Sequence, residues 1–214
     1  MLDRSDQRSA TNETLHVIIP CKGLDSGKSR LSNRLDCKNR RSLCETLLKR
    51  TLESSIAIVP HVYVSVVTSD EHAASIGGEY GADAIPDGGG GLNAALEHAR
   101  CVLRKRVNGP CTLMVLPIDL PLARSDTLQE FLKCPGDVLI APDENAQGTN
   151  VLVLRSAAAW ELEFRYGDQS FSSHQAAARA CGRQATVFRH PSLALDIDEP
   201  SHYDRWLSCG EAVS

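Results

Sequence analysis

The sequence predicts an α/β fold, with a mainly parallel central sheet and helices on both of its faces. Three observations carry this. Short apolar runs alternate with segments of helical spacing along nearly the whole chain. Several of the runs are continuously apolar, as strands covered on both faces require. No internal repeat and no long linker interrupts the series, so residues 15–208 read as one domain, with 1–14 an N-terminal extension and 209–214 a short tail.

The elements follow in order. Residues 15–20 (LHVIIP) form a buried strand. Residues 40–57 place Leu43, Leu47, Leu48, Leu52 and Ile56 at helical spacing, and Pro60 ends that helix. Residues 62–68 (VYVSVVT) are rich in β-branched side chains and read as a second strand. Asp70 is placed to cap a helix that ends near Gly81, and 82–85 is a short third strand. Four glycines, 88–91, then feed a helix with Leu92, Ala95, Leu96, Ala99 and Leu103 on one face. Strand 111–116, a helix from Ser125 or Asp126 to about Lys133, and strands 137–141 and 150–154 come next. A helix over 170–181 stops at Gly182. Short strands at 185–188 and 193–197 precede a last helix, 199–207.

Composition narrows the function. The formal net charge of −4 offers no overall field for nucleic acid. No apolar run is long enough to cross a membrane, and the first residues, MLDRSDQRSATNET, lack the apolar stretch of a signal peptide. Eight cysteines at irregular intervals, none in a CxxC pair, read as free thiols in a cytoplasmic protein, with Cys44 and Cys111 in the core.

In a sheet of this kind ligands bind beyond the carboxyl ends of the strands, so the residues after each strand are the ones to inspect. The first such stretch, IPCKGLDSGKSRL, brings Lys22, Lys28 and Arg30 together. Its GLDSGKS resembles a P-loop but holds three residues between Gly23 and Gly27 where that loop has four. Gly27 and the amides after it are candidates to meet phosphate oxygens, and a plain solvated basic loop is the alternative. Asp119 leaves the strand around TLMVL, and Asp196 and Asp198 stand two apart in LALDID. If that stretch is extended, both side chains share a face. Carboxylates so gathered repel one another unless a divalent cation joins them, and hard oxygen ligands suit magnesium. Singly, each aspartate is equally a turn former, and Asp198 is placed to cap the last helix.

Taken in order, these segments resemble the CofC/FbiD nucleotidyltransferases. The carrying residues are Ile19-Pro20-Cys21-Lys22-Gly23-Leu24 with Lys28-Ser29-Arg30-Leu31, then Gly91-Leu92-Asn93, Leu116-Pro117-Ile118-Asp119-Leu120-Pro121-Leu122, Gly148-Thr149-Asn150 and Leu195-Asp196-Ile197-Asp198-Glu199-Pro200. The resemblance implies a GT-A-like (Rossmann-like) nucleotidyltransferase fold. It implies transfer of GMP from GTP to a three-carbon phospho-acid in coenzyme F-420 biosynthesis: 3-phospho-D-glycerate, phosphoenolpyruvate or 2-phospho-L-lactate. It implies magnesium on Asp119, Asp196 and Asp198, and the phospho-acid on Thr149, Gly167 and Ser170. Lys22, Lys28 and Arg30 would hold the triphosphate, and Asp87, the glycine run through Gly91 and Asn93 would form the base and ribose pocket. Where the family often has Phe-Gly-Pro, this chain has Tyr166-Gly167-Asp168. His174 shares a helix face with Ser170 and is expected in solvent. A downstream transferase or a second copy of the chain is an expected partner. A cytidylyl- or molybdopterin-type enzyme of the same fold and a non-catalytic GTP-binding module are the alternatives.

Overall fold

The computed structural model describes residues 13–210. Most of the expected extension and tail, residues 1–12 and 211–214, lies outside the described residues. The chain runs β1 (Thr14–Pro20), α1 (Cys37–Ile56), β2 (Val62–Val67), α2 (Glu71–Glu79), β3 (Asp83–Ile85), α3 (Leu92–Arg104), β4 (Cys111–Val115), α4 (Ser125–Lys133), β5 (Val138–Pro142), β6 (Thr149–Arg155), α5 (Ala158–Glu161), α6 (Ser170–Ala180), β7 (Ala185–Val187), α7 (Pro191–Ala194) and α8 (Pro200–Ser208).

The strands form one sheet in the order β3-β2-β1-β4-β6-β5-β7. Every pairing is parallel except those of β6, which runs antiparallel to β4 and to β5. That reversal matters for the site. The start of β6, Thr149, pairs with Pro142 at the end of β5, so it lies at the same edge as the carboxyl ends of the other strands.

Alternation along each strand divides the core in two. Val17, Ile19, Met114, Val151 and Val153 face one layer, with α1, α2, α4 and α7 packed on it. Ile18, Leu113, Val115, Leu152 and Leu154 face the other, under α3, α5 and α6. This is why the runs are apolar throughout: both faces of the sheet are covered. Each fully buried aliphatic side chain contributes roughly 1.5–3 kcal/mol. A third, smaller cluster joins Leu31, Leu43, Leu47, Leu195, Ile197 and Trp206, and fixes α8 against the start of α1.

Helix starts follow local chemistry. Asp36 caps α1 through Asn39 N (2.7 Å), earlier than the spacing of leucines alone suggests. Asp70 caps α2 as expected, accepting from the amides of His72 and Ala73.

The expected strand at 193–197 is not formed. His190 accepts from Ser192 N, Pro191 takes the first helical position, and the short helix α7 results. The chain then turns, with Asp198 N donating to Asp196 O (3.2 Å) and Ile197 N to Asp119 O (2.9 Å). Asp198 does not cap α8; Glu199 stands at that position and its side chain makes no capping bond. Among the described residues no helix is long and apolar enough to cross a membrane, all eight cysteines are free, and Cys44 and Cys111 are buried.

Candidate active site

The opening loop is held to α2 by one carboxylate. Asp70 Oδ2 accepts from Leu24 N (2.8 Å) while Oδ1 caps α2. Burial works to raise the Asp70 carboxyl, and the amides of Leu24, Ala73 and His72 outweigh it and hold the group below its ordinary range. Within the loop, Ser26 N and Gly27 N both donate to Gly23 O (3.0 and 3.1 Å). The Gly27 amide is therefore turned into the loop and not toward a ligand, which corrects the phosphate-cradle reading of that residue. A Cβ on Gly27 would stand 2.7 Å from Cys44 Sγ, so this close approach to α1 needs glycine.

The loop delivers Lys28 in the left-handed region (φ 52°, ψ 38°), which costs a side-chain-bearing residue on the order of 1 kcal/mol. The result places the ammonium against two carboxylates. Lys28 Nζ donates to Asp119 Oδ2 (3.3 Å) and to Asp198 Oδ1 (3.4 Å), with the lysine side chain 8% exposed. Arg30 pairs with the other oxygen of Asp198 (3.3 Å) from an exposed position. Burial alone would lower the Lys28 pKa, and the two carboxylates reverse that. Asp196 belongs to the same neighbourhood: burial first, then the charges of Asp119 and Asp198, push its carboxyl up to about 6. Asn150 supports this arrangement by donating to the carbonyls of Leu193 and Ala194, which ties the turn before Asp196 to β6.

Among the described residues no three or more His, Cys, Asp or Glu side chains are arranged to hold a metal ion together. The donors nonetheless suit magnesium. That ion takes one or two carboxylates and completes its shell with water and phosphate oxygens. Asp119 and Asp198 already bracket one cation, the Lys28 ammonium.

Beside the loop, Pro20, Lys22, Val67, Asp87, Gly91, Leu92 and Ala95 help line a cavity of about 360 Å³. Its volume falls in the range of small-molecule sites, about 300–1,000 Å³. A cavity of similar size, lined by Arg50, Glu53 and Arg124 among others, has no such place beside the opening loop. Glycines 88–91 all take positive φ, from 69° to 88°, which glycine alone adopts readily. Asp87 accepts from Ser69 Oγ (2.6 Å) and Gly89 N (3.0 Å), and both bonds lower its pKa. Asn93 is engaged elsewhere. Its amide donates to Tyr166 O and accepts from Tyr166 N (2.9 and 2.8 Å), joining α3 to the loop before α6.

That loop and the start of β6 bring Thr149, Gly167 and Ser170 together. Ser170 N donates to Gly167 O, and Ser170 Oγ accepts from Thr149 N (2.8 Å). The first two amides of α6 are engaged, Ser170 N with Gly167 O and Phe171 N with Gln147 O, so neither is free for a ligand. Ser170 is not the cap; Gln169 is, in the left-handed region and without a side-chain bond.

His174 is fully buried, against the expectation of an exposed side chain. It lies over the T-shaped contact with Tyr166 (centroids 4.9 Å apart) and bonds on both ring nitrogens. Nε2 accepts from Arg165 N (2.9 Å), so in the neutral ring the proton sits on Nδ1 and is donated to Thr149 Oγ1 (2.9 Å). Thr149 and Ser170 thus both accept from the protein, which leaves each hydroxyl proton free for a further acceptor. Two such donors are chemically suited to an anion. Burial lowers the His174 pKa to about 4. The sequence carried no sign of the histidine's role beyond its helical register with Ser170.

Comparisons with known proteins place the chain among its relatives. The chain is 31% identical to the phosphoenolpyruvate guanylyltransferase of Chloroflexus aurantiacus, over 90% of this chain and 94% of that protein. It is 33% identical to the phosphoenolpyruvate guanylyltransferase of Rubrobacter xylanophilus, over 92% and 95%. Its fold is similar to that of 4-diphosphocytidyl-2C-methyl-D-erythritol synthase of Anaerococcus prevotii (TM-score 0.65, 9% identity, 94% of this chain and 97% of that one). It is also similar to that of CMP:2-keto-3-deoxy-manno-octonic acid synthetase complexed with CTP (TM-score 0.62, 15% identity, 94% and 100%). The family model described as "Guanylyl transferase CofC like" matches residues 15–212, and the chain belongs to that family of nucleotidyltransferases.

Proposed function

We propose that this guanylyltransferase moves GMP from GTP to a three-carbon phospho-acid, releasing pyrophosphate, as a step in coenzyme F-420 biosynthesis. Phosphoenolpyruvate is the leading acceptor, since the two curated relatives carry that name; 2-phospho-L-lactate and 3-phospho-D-glycerate share its charge pattern. The observation that carries the reading is the meeting of Lys28 with Asp119 and Asp198, beside Asp196.

The reaction joins two anions. A phosphate oxygen of the acceptor attacks the α-phosphorus of GTP, the new P–O bond forms, and the bond to the β-phosphate oxygen breaks with its electron pair on pyrophosphate. The nucleophile is already ionised at neutral pH, so no general base is required. Charges of like sign about 4 Å apart repel by roughly 4 kcal/mol at an effective dielectric near 20, and each ~1.4 kcal/mol is about tenfold in rate. The protein's task is to neutralise and orient. Lys22 and Arg30 are exposed, Lys28 is nearly buried against the carboxylates, and the three would hold the triphosphate. Asp119 and Asp198, with Asp196 adjoining, would hold magnesium, which supplies charge neutralisation for the in-line displacement when bound. The cavity beside Lys22, with the apolar side chains of Val67, Leu92 and Ala95, suits a base and ribose. Thr149 and Ser170, whose hydroxyls are free to donate, suit the phospho-acid together with Gly167.

The purified protein should release pyrophosphate with GTP, magnesium and phosphoenolpyruvate, and CTP should replace GTP poorly. Silence with all three acceptors removes the reading. Preference for CTP places the chain with the cytidylyl enzymes of similar fold.

A further inference from the structure

Tyr166 carries a group that the residues so far described do not use. Its hydroxyl is buried, and among the described residues it has no hydrogen-bond partner. Buried hydroxyls rarely stay unpaired, because a donor withdrawn from water keeps the cost of its lost bonds. Each such group asks for a reason. The side chain is not loosely placed. Asn93 clamps its backbone on both sides, through Tyr166 N and Tyr166 O. Its ring meets the buried His174 edge-on, and His174 in turn positions the Thr149 hydroxyl. Gly167, the next residue, has φ 126° and opens the turn to Ser170.

The phenol therefore adjoins groups already assigned to the site: its ring meets His174, which bonds Thr149, and Thr149 in turn bonds Ser170. Burial, and after it the charge of Asp119, raises the phenol's pKa, so the hydroxyl keeps its proton. A protonated phenol can donate, and the natural recipient is an anion bound beside Thr149 and Ser170.

We propose that Tyr166 is an acceptor-binding residue whose hydroxyl, unpaired in the free protein, donates a hydrogen bond to an anionic oxygen of the bound phospho-acid. This rests on the guanylyltransferase reading above. It makes Tyr166 a third hydroxyl donor beside Thr149 and Ser170, and one whose bond forms only when the acceptor is present. Two effects of Tyr166→Phe then have opposite signs. The free protein loses an unsatisfied donor while the ring keeps its contact with His174 and the backbone keeps Asn93, so thermal stability is unchanged or higher. The loaded protein loses a bond to a charged partner, a loss of about tenfold or more in kcat/KM for the acceptor, with the KM for GTP unchanged.

The test is the melting temperature of both proteins without ligand, together with initial rates of pyrophosphate release over a grid of phosphoenolpyruvate and GTP concentrations. A stable variant with a selective acceptor defect supports the assignment. Equal acceptor kinetics in an active wild type and in the variant overturns it alone. A variant that melts several degrees lower also overturns it, since the hydroxyl would then be paired in the free protein. A wild type silent with every acceptor removes the guanylyltransferase reading and this assignment with it.

Discussion

Lys28 is the residue on which the charge arrangement turns. Its ammonium is nearly buried, while its two carboxylate partners are 30% and 44% exposed. Water screens the partners, so the stability lost with the lysine is small: about 1 kcal/mol for Lys28→Met, read by urea denaturation. The effect on turnover should be larger, because in the proposed reaction this charge faces the place where two anions meet. We expect kcat/KM to fall about 100-fold, equivalent to roughly 2.7 kcal/mol of lost transition-state stabilisation. A third readout separates a structural lysine from one that shares its place with a metal. Without the ammonium, Asp119 and Asp198 lose their common cation and should bind magnesium more tightly in the absence of nucleotide, by titration calorimetry. Weaker or unaltered magnesium binding in the variant would mean that these carboxylates do not form the ion's site.

At the scale of elements, the opening loop reaches the carboxylates because α1 and α2 hold it at two points. Asp70 fixes Leu24, and Gly27 lies against Cys44 with no room for a Cβ. Gly27→Ala should push the loop off α1, lowering stability by about 1–3 kcal/mol and turnover with it. Cys44→Ala removes the obstructing sulfur and should restore much of both in the double variant. A double-mutant cycle measures this, and strict additivity would show that the loop is not seated on Cys44. How legible was such an arrangement in the sequence? The elements whose signal is local could be read: the leucine spacing of α1, the Asp70 cap, the β-branched β2, and the helix after four glycines. The stretch at 193–197 could not, because its apolar residues fit a strand and the helix depends on Pro191 and a cap from His190. Nor could the Gly27–Cys44 contact or the Asn93–Tyr166 clamp, which join residues 17 and 73 positions apart. The acidic residues and the basic loop were visible as candidates by their place after strands. That a lysine ammonium bridges two of them depends on a left-handed backbone at Lys28, which no residue type announces.

The whole molecule depends on pH through His174, which joins three parts of the chain: β6 through Thr149, the loop at Arg165, and α6, on which it sits. Its Nε2 accepts from a backbone N–H, so protonation would set two donors against each other in a buried place. Burial first, with the nearby charge of Arg165 adding to it, keeps the ring neutral down to about 4 instead of its ordinary 6.5. Above pH 6.5 the histidine is neutral both folded and unfolded and adds no pH dependence. Between 6.5 and about 4 the unfolded chain takes up the proton and the folded one does not, so stability falls as pH falls. Below about 4 both forms carry the proton and the decline from this group ends. A difference of that size corresponds to at most about 3–4 kcal/mol. His16, whose pKa burial also lowers, and the carboxylates add their own slopes. The clean measurement is therefore a comparison: urea unfolding of the wild type and His174→Gln at intervals from pH 7 to 4.5. Glutamine retains polar atoms for Thr149 and Arg165 but cannot titrate. The variant is expected to begin less stable at pH 7 and to lose less stability on acidification, so that the two curves converge. Parallel curves would show that His174 gains its proton as readily in the folded protein as in the unfolded one, and that the bonds at its two nitrogens do not hold the acceptor side of the site together.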